Sequence, residues 1–367
     1  AGHTGYLPLM LDASDFSERW ACDCFGPWEP LVIKDGIIFT STSYGYSGGN
    51  SVRAYDASNG NLRWNTYLEG PRETGGPTVA NGNVYIHTGS SSKALWAFDQ
   101  RSGEQLFNTP HAGASYPAFS PPTVVGDRAY VNGGNGYTTS FDAITGELLW
   151  EVVNAQDSPL WEPAFDGEYL YVPYTTGSYP RSYGLRTIDP ANGGIVFEIE
   201  SDVQWYYYNS PVLGSDNNVI GAGRGLVSYD IENQSVNWQI TDTVNFGQPS
   251  VALGRIFVVR EDQLQVYEEA TGELLWSWDA PANLENYIAV SATHAFVSTA
   301  YETYAIDLNT RASVWSYPQG GRPSLTNEGA LLITWSHAFA VIDIEGDSDV
   351  DGLPNWYERV YGLDPDN

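Results

Sequence analysis

Short apolar runs separated by polar turns recur along the whole chain, and the same frame returns eight times. Each copy opens on a proline or its equivalent and a short apolar stretch, at Pro30, Pro77, Pro122, Pro163, Pro211, Pro249, Ile288 and Pro323. Residues Thr78-Val79-Ala80, Asn81-Gly82 and Asn83-Val84-Tyr85-Ile86 show it clearly. The alternation predicts half-buried strands, and Asn-Gly is a preferred centre of a two-residue hairpin. Each copy but the last then closes on an apolar residue before an acid, a turn position four residues on that is glycine in most copies, and an aromatic four further. The closing half reads Tyr55-Asp56, Gly60, Trp64, then Phe98-Asp99, Gly103, Phe107, then Phe141-Asp142, Gly146, Trp150. It continues as Ile188-Asp189, Gly193, Phe197, as Tyr229-Asp230, Gln234, Trp238, as Tyr267-Glu268, Gly272, Trp276, and as Ile306-Asp307, Arg311, Trp315. The last copy stops at Ile342-Asp343.

Each copy therefore holds four short strands, A to D, in roughly 35–48 residues, a period that predicts a propeller. Eight A–B–C sets occur but only seven D strands follow them. The missing one is expected at the front, where Phe16-Ser17-Glu18-Arg19-Trp20 has the outer-strand form. The prediction is an all-β, eight-bladed β-propeller of four-stranded antiparallel blades, the N-terminal strand completing the last blade. Its divisions are an extension over 1–15, the propeller over 16–345, and a C-terminal loop and tail over 346–367. The repeated acid and glycine suit the C–D turn, because aspartate bonds backbone two residues on and glycine supplies positive φ. The D-strand tryptophan is expected to wedge between blades with its N–H on a backbone partner. These repeat residues are read as structural.

The form Ala-Tyr-Asp-Ala-x-x-Gly-x-x-x-Trp, seen at Ala54–Trp64, resembles the pyrroloquinoline-quinone-like (PQQ-like) repeat over residues 16 to about 343. That superfamily includes quinoprotein alcohol dehydrogenases and the outer-membrane assembly scaffold BamB. The resemblance implies a propeller without implying bound quinone. Quinone enzymes of this shape hold Ca²⁺ through Glu, Asn and Asp at the ring centre, and often carry an adjacent cysteine pair. This chain has only Cys22 and Cys24, flanking Asp23, so PQQ is not expected. A strained disulfide, two thiols and a metal site all remain open for that pair.

Composition narrows the partners. Sixteen basic and 45 acidic residues leave a net charge of −29, which repels nucleic acid and anionic membranes. No apolar run is long enough to span a membrane. The opening Ala1-Gly2-His3 reads as a processed mature terminus. An extracellular, cell-surface or periplasmic, monomeric protein is expected.

Residues 347–358 place Asp347, Asp349, Asp351 and Glu358 at positions 1, 3, 5 and 12 of a loop, with Gly352 at the sharp turn and the Leu353 carbonyl at position 7. That spacing of hard oxygen donors predicts Ca²⁺. Pro354 departs from a paired EF-hand, and the run to Pro365 resembles the thrombospondin type 3-like calcium repeats that end many secreted bacterial proteins. The calcium role is expected to be structural. A further acidic repeat is expected to follow Asn367.

Loop length is uneven. The A–B and C–D connections are short, whereas D–A segments such as 108–120, 151–161 and 198–209, and the B–C segment 173–186, are long. Binding residues collect on such loops. The candidate ligand face comprises Glu29, Tyr116, Trp161, Glu162, Arg186, Trp205, Tyr207, Arg224, Arg260, Tyr287, Arg322 and His337. Three functions fit it. One is a binding or scaffold module for a protein or glycan. The second is a polysaccharide lyase or hydrolase, casting His111, Tyr116, Arg186 and Arg322, or the pair Glu29 and Glu162, in catalytic roles. The third is a quinone dehydrogenase.

Overall fold

The computed structural model describes residues 9–11, 18–21, 31–42, 50–70, 73–89, 92–112, 120–155, 161–176, 181–206, 208–326, 330–335, 338–343 and 364. The fold is the expected all-β propeller, with eight antiparallel blades in a ring. Blade 1 runs Val32–Lys34, Ile37–Thr42, Ser51–Asp56 and Leu62–Tyr67 as strands A to D. The A strands of blades 2 to 8 begin at Thr78, Thr123, Ala164, Val212, Ser250, Leu284 and Arg322. From blade 1 to blade 8, successive A strands contact one another, which places the A strands at the ring centre. Among the described residues no helix is long and apolar enough to cross a membrane.

The hydrophobic core is divided into eight clusters, one at each blade interface. Phe39, Trp64, Val84 and Phe98 pack between blades 1 and 2, and Leu31, Ile38, Leu332 and Phe339 pack between blades 8 and 1. The last interface shows that the ring is closed. Closure is made by the N-terminal chain, as expected, but by two strands. Leu9–Leu11 lies parallel beside strand C of blade 8, Ala338–Asp343, with Leu9 opposite Ala340. Glu18–Ala21 pairs antiparallel outside it, with Trp20 opposite Met10. Trp20 therefore does not take the position of Trp64, one strand nearer the ring. The wholly apolar segment takes the inner place and the charged one forms the edge, which suits an edge open to water.

The repeated residues hold neighbouring blades together. Asp99 accepts N–H bonds from Ser102 (2.7 Å) and Arg101 (3.0 Å), while Gly103 N–H returns to the Asp99 carbonyl (2.9 Å). The Ser102 N–H is the main reason that the Asp99 carboxyl titrates below the usual carboxylate range. Gly103 has φ +71°, and the Trp64 ring of blade 1 lies directly over its Cα. The Trp64 Nε1–H donates to the carbonyl of Gln100 in the same turn, at 3.1 Å. Trp150 repeats this on Pro190 (2.9 Å) and Trp238 on Glu269 (3.0 Å). The expected structural role of these residues is thus met by a specific contact between blades.

The A–B turns of blades 1, 2 and 6 are two-residue hairpins with both centres at positive φ, as at Asn81-Gly82 (54° and 74°). Blade 6 places Leu253 at such a centre, at φ +56° and 59% exposed. A left-handed leucine costs roughly 1–2 kcal/mol, and asparagine tolerates that backbone far better. Leu253→Asn should therefore raise stability by about 1 kcal/mol, read from the urea midpoint at unchanged slope.

Candidate functional site

Hydrogen bonds fix which connections share an end of the ring. At one end, A–B turns accept from C–D turns: Gln100 N–H bonds Gly82 O and Ala143 N–H bonds Asp127 O, at 2.9 and 2.8 Å. At the other, D–A segments bond B–C turns: Phe246 N–H meets Gly223 O and Leu284 N–H meets Glu261 O, both at 2.8 Å. The longer, irregular connections share this second end.

There the starts of the A strands form an arc around the ring centre. Glu162 N–H donates to Ser210 Oγ (2.9 Å), and Ser210 N–H donates to Gln248 Oε1 (2.7 Å). The Gln248 side-chain amide returns to Ser210 O (3.2 Å), and its own N–H donates to Asn286 O (3.1 Å). Next in the arc, the Arg322 guanidinium stacks over the Tyr287 ring, 4.4 Å from its centre. The arc joins blades 4 to 8 through Ser210, the Gln248 side chain, the Asn286 carbonyl and the Arg322–Tyr287 stack.

Glu162 is the unusual member. No hydrogen bond or ion pair reaches its carboxyl among the described residues, and the packed surroundings push its pKa up to about 7. Part of the residue remains within reach of water. A carboxyl raised in this way penalises the folded state as pH climbs from about 4.5 towards 7, and the penalty is complete above that. Glu162→Gln is therefore expected to stabilise the protein by about 2 kcal/mol at pH 8, after allowance for partial solvation, and by nothing at pH 4. Urea unfolding at the two pH values measures it.

Other predicted face residues have different surroundings. Trp161 is fully buried, in the cluster with Tyr130, Trp150, Leu170 and Ile188 between blades 3 and 4. Trp205 is also buried, stacks on Tyr229, donates to its hydroxyl (3.1 Å), and covers Gly221. Arg186 pairs with Glu198 (2.7 Å), bonds Asn154 O (3.0 Å) and lies over Tyr174. Arg260 pairs with Asp242 (2.9 Å). Arg224 stands exposed at a B–C turn with no ion pair among the described residues. Glu29, Tyr116, Tyr207, His337, the cysteines Cys22 and Cys24, and the calcium loop with Asp347, Asp349, Asp351, Leu353 and Glu358 lie outside the described residues. Of the exposed tyrosines of this end, Tyr67 and Tyr208 belong to the aromatic-rich D–A connections that the sequence shows, whereas Tyr301 was missed. Tyr301, in the B–C turn of blade 7, is 81% exposed, Tyr67 is 60% and Tyr208 is 41%. For Tyr301 the available signal was its place between strands B and C of blade 7.

The chain matches the family of the outer membrane protein assembly factor BamB over residues 10–115, 48–245 and 224–367. It is 23% identical over 271 residues to BamB of Moranella endobia, covering 70% of this chain and 68% of that one. It is 27% identical over 356 residues to the dehydrogenase subunit of the quinone alcohol dehydrogenase of Komagataeibacter europaeus, covering 85% of this chain but only 44% of that protein. The chain thus spans less than half the length of this quinone relative. Among solved structures, BamB of Moraxella catarrhalis superposes with a TM-score of 0.65 at 15% identity, over 83% of this chain and 92% of that one. A europium-containing methanol dehydrogenase gives 0.66 at 12% identity, over 94% and 86%. These two likenesses concern the fold. With the family match running through every blade, the chain belongs to the propeller family of the outer membrane protein assembly factor BamB.

Proposed function

We propose that the protein is a binding and scaffold module, secreted or on the envelope side of the membrane, whose D–A/B–C end takes a polypeptide partner. The observation that carries this reading is the contrast between the two kinds of polar group at that end. Ser210, Gln248 and Asn286 bond one another and join blades, while Tyr67, Tyr301 and Arg224 project into solvent. Tyrosine and arginine dominate the hot spots of protein interfaces. The name of the BamB relatives, an assembly factor, agrees with a scaffold. Alanine at Tyr301 and Arg224 together is expected to weaken partner binding about tenfold or more, with no change in the urea midpoint. Unchanged affinity would count against the reading.

Quinone chemistry fits less well. A Ca²⁺–quinone pair needs carboxylates and an amide converging at the ring centre. Among the described residues no three His, Cys, Asp or Glu side chains converge, and Glu162 stands without a second carboxylate. The protein mixed with PQQ and Ca²⁺ is expected to retain no quinone absorbance after desalting. We further propose that Asp347, Asp349, Asp351, Leu353 and Glu358 hold one structural Ca²⁺ in a tail separate from the ring, a claim that calcium titration calorimetry tests directly. A second reading, polysaccharide cleavage, rests on Glu162 alone, because a general acid needs a pKa near working pH. Release of new sugar ends that Glu162→Gln abolishes would support it.

A further inference from the structure

Blades 2 and 3 enclose a polar cluster that neither the repeat nor the proposed face uses. His87 lies on strand B of blade 2, and His111 follows strand D of the same blade. Both imidazoles are shut off from water, and their Nε2 atoms approach to 3.0 Å. His111 Nδ1 faces the Glu151 carboxylate of blade 3 at 3.5 Å. That carboxylate also accepts the Ala112 N–H (2.9 and 3.1 Å) and the Thr139 hydroxyl (3.0 Å). The His111 ring meets Phe141 edge-on. His87 Nδ1 and His111 Nδ1 are both buried without a hydrogen-bond partner, the Glu151 carboxylate standing near His111 Nδ1 as a charge only.

We propose that His87 and His111 form a pH-sensitive clasp that ties the segment leaving blade 2 to blade 3, and that the clasp opens when the pair takes up a proton.

A line between two Nε2 atoms holds one hydrogen, so one ring donates and the other accepts. Glu151 favours the other hydrogen on His111 Nδ1, which makes His111 the acceptor and His87 the donor, a tautomer assigned from these neighbours. A further proton must then sit at His87 Nδ1, where no acceptor meets it. A fourth would set two N–H groups against each other. Burial, with the neighbouring His111 second, accordingly holds His87 well below the usual histidine range. The charged groups facing the pair are Glu151 from strand D of blade 3 and, one residue further out, Lys93 from the B–C turn of blade 2. The Lys93 ammonium bonds Ala112 O at 3.4 Å. Glu151 already serves the Ala112 N–H and Thr139, and it lies on the far side of His111 from His87. It does not reach His87 Nδ1, so the added N–H there is buried without an acceptor, whichever ring carries the charge.

The sign follows from the depressed pKa. The clasp contributes its full stability above the unfolded histidine pKa of about 6.5 and loses it as pH falls, tenfold in the closing constant per pH unit for each proton excluded. The segment His111–Ala112 runs into a D–A connection, so opening loosens the end of the ring where the connections are long. The device stands whether or not that end binds a polypeptide.

The test is histidine NMR with amide exchange on the intact chain between pH 8 and 5. The His87 ring resonance should stay neutral through pH 6. The protection of the Ala112 amide, corrected for intrinsic exchange, should fall up to tenfold per unit below 6.5. His87→Gln keeps a donor for His111 Nε2 but cannot titrate, and should remove this pH dependence. A His87 that titrates near 6.5 in the folded protein overturns the proposal. So does an Ala112 amide whose protection has the same pH dependence in both chains. The first result needs no variant and holds even if His87→Gln folds poorly.

Discussion

Gly103→Ala is expected to destabilise the ring by about 3 kcal/mol, from two additive causes. The residue sits at φ +71°, and a left-handed alanine costs roughly 1–2 kcal/mol. An added Cβ would also come within 2.5 Å of the Trp64 ring, and overpacking of this kind costs about 1–3 kcal/mol. Trp64 cannot withdraw cheaply, because its N–H is anchored on Gln100 O and its ring fills the cluster between blades 1 and 2. The equivalent turn position in blade 7 supplies the control. Arg311 has φ +58°, is exposed, and donates its N–H to Asp307 O at 2.8 Å, as Gly103 does to Asp99. Arg311→Gly relieves the backbone strain but loosens the unfolded chain, so a gain of about 0.5 kcal/mol is expected. Opposite signs at equivalent positions, measured as urea midpoints, would establish that the turn's backbone and the tryptophan over it act together. A neutral Gly103→Ala would mean that Trp64 does not rest on that turn.

Trp161→Ala is expected to cost about 3–5 kcal/mol, in the range for emptying a large buried aromatic site. The side chain is fully buried with Tyr130, Trp150 and Leu170. Its carbonyl accepts the Asn132 side-chain amide at 3.3 Å, which holds this chain segment against blade 3. A ligand-face tryptophan would behave differently, losing affinity at constant stability. Thermal or urea unfolding of the variant separates the two roles.

The propeller was legible because its cause repeats. Asp at the C–D turn, Gly four residues on and Trp or Phe four beyond form one physical unit, complete in four copies and recognisable in three more, and that repetition leaves little choice of architecture. Closure was legible by counting strands, yet the order of the two N-terminal strands was not. Leu9–Leu11 carries no turn motif, and the Trp20 pattern drew attention away from it. The candidate face was less readable. Trp161 and Trp205 look alike as exposed-loop aromatics, but only packing shows that one fills an interface and the other covers Gly221. Arg186 and Arg260 find their acids 12 and 18 residues away, across strands whose pairing no local pattern announces. The His87–His111 contact joins two blade elements 24 residues apart, and histidine has no spacing rule for such a meeting. Glu162 could be named from its place at the head of strand A, but its missing partner is a property of the assembled arc.

The repeat residues hold the ring, and the D–A/B–C end is proposed to do the binding. Site-specific photocrosslinking tests this most directly, with the photoreactive residue at Tyr301 on that end or at Asn59 in a C–D turn on the opposite one, in an envelope extract of the source organism. A discrete polypeptide adduct from position 301, absent from position 59, is the predicted result. Equal labelling from both positions, or labelling from 59 alone, would contradict the account.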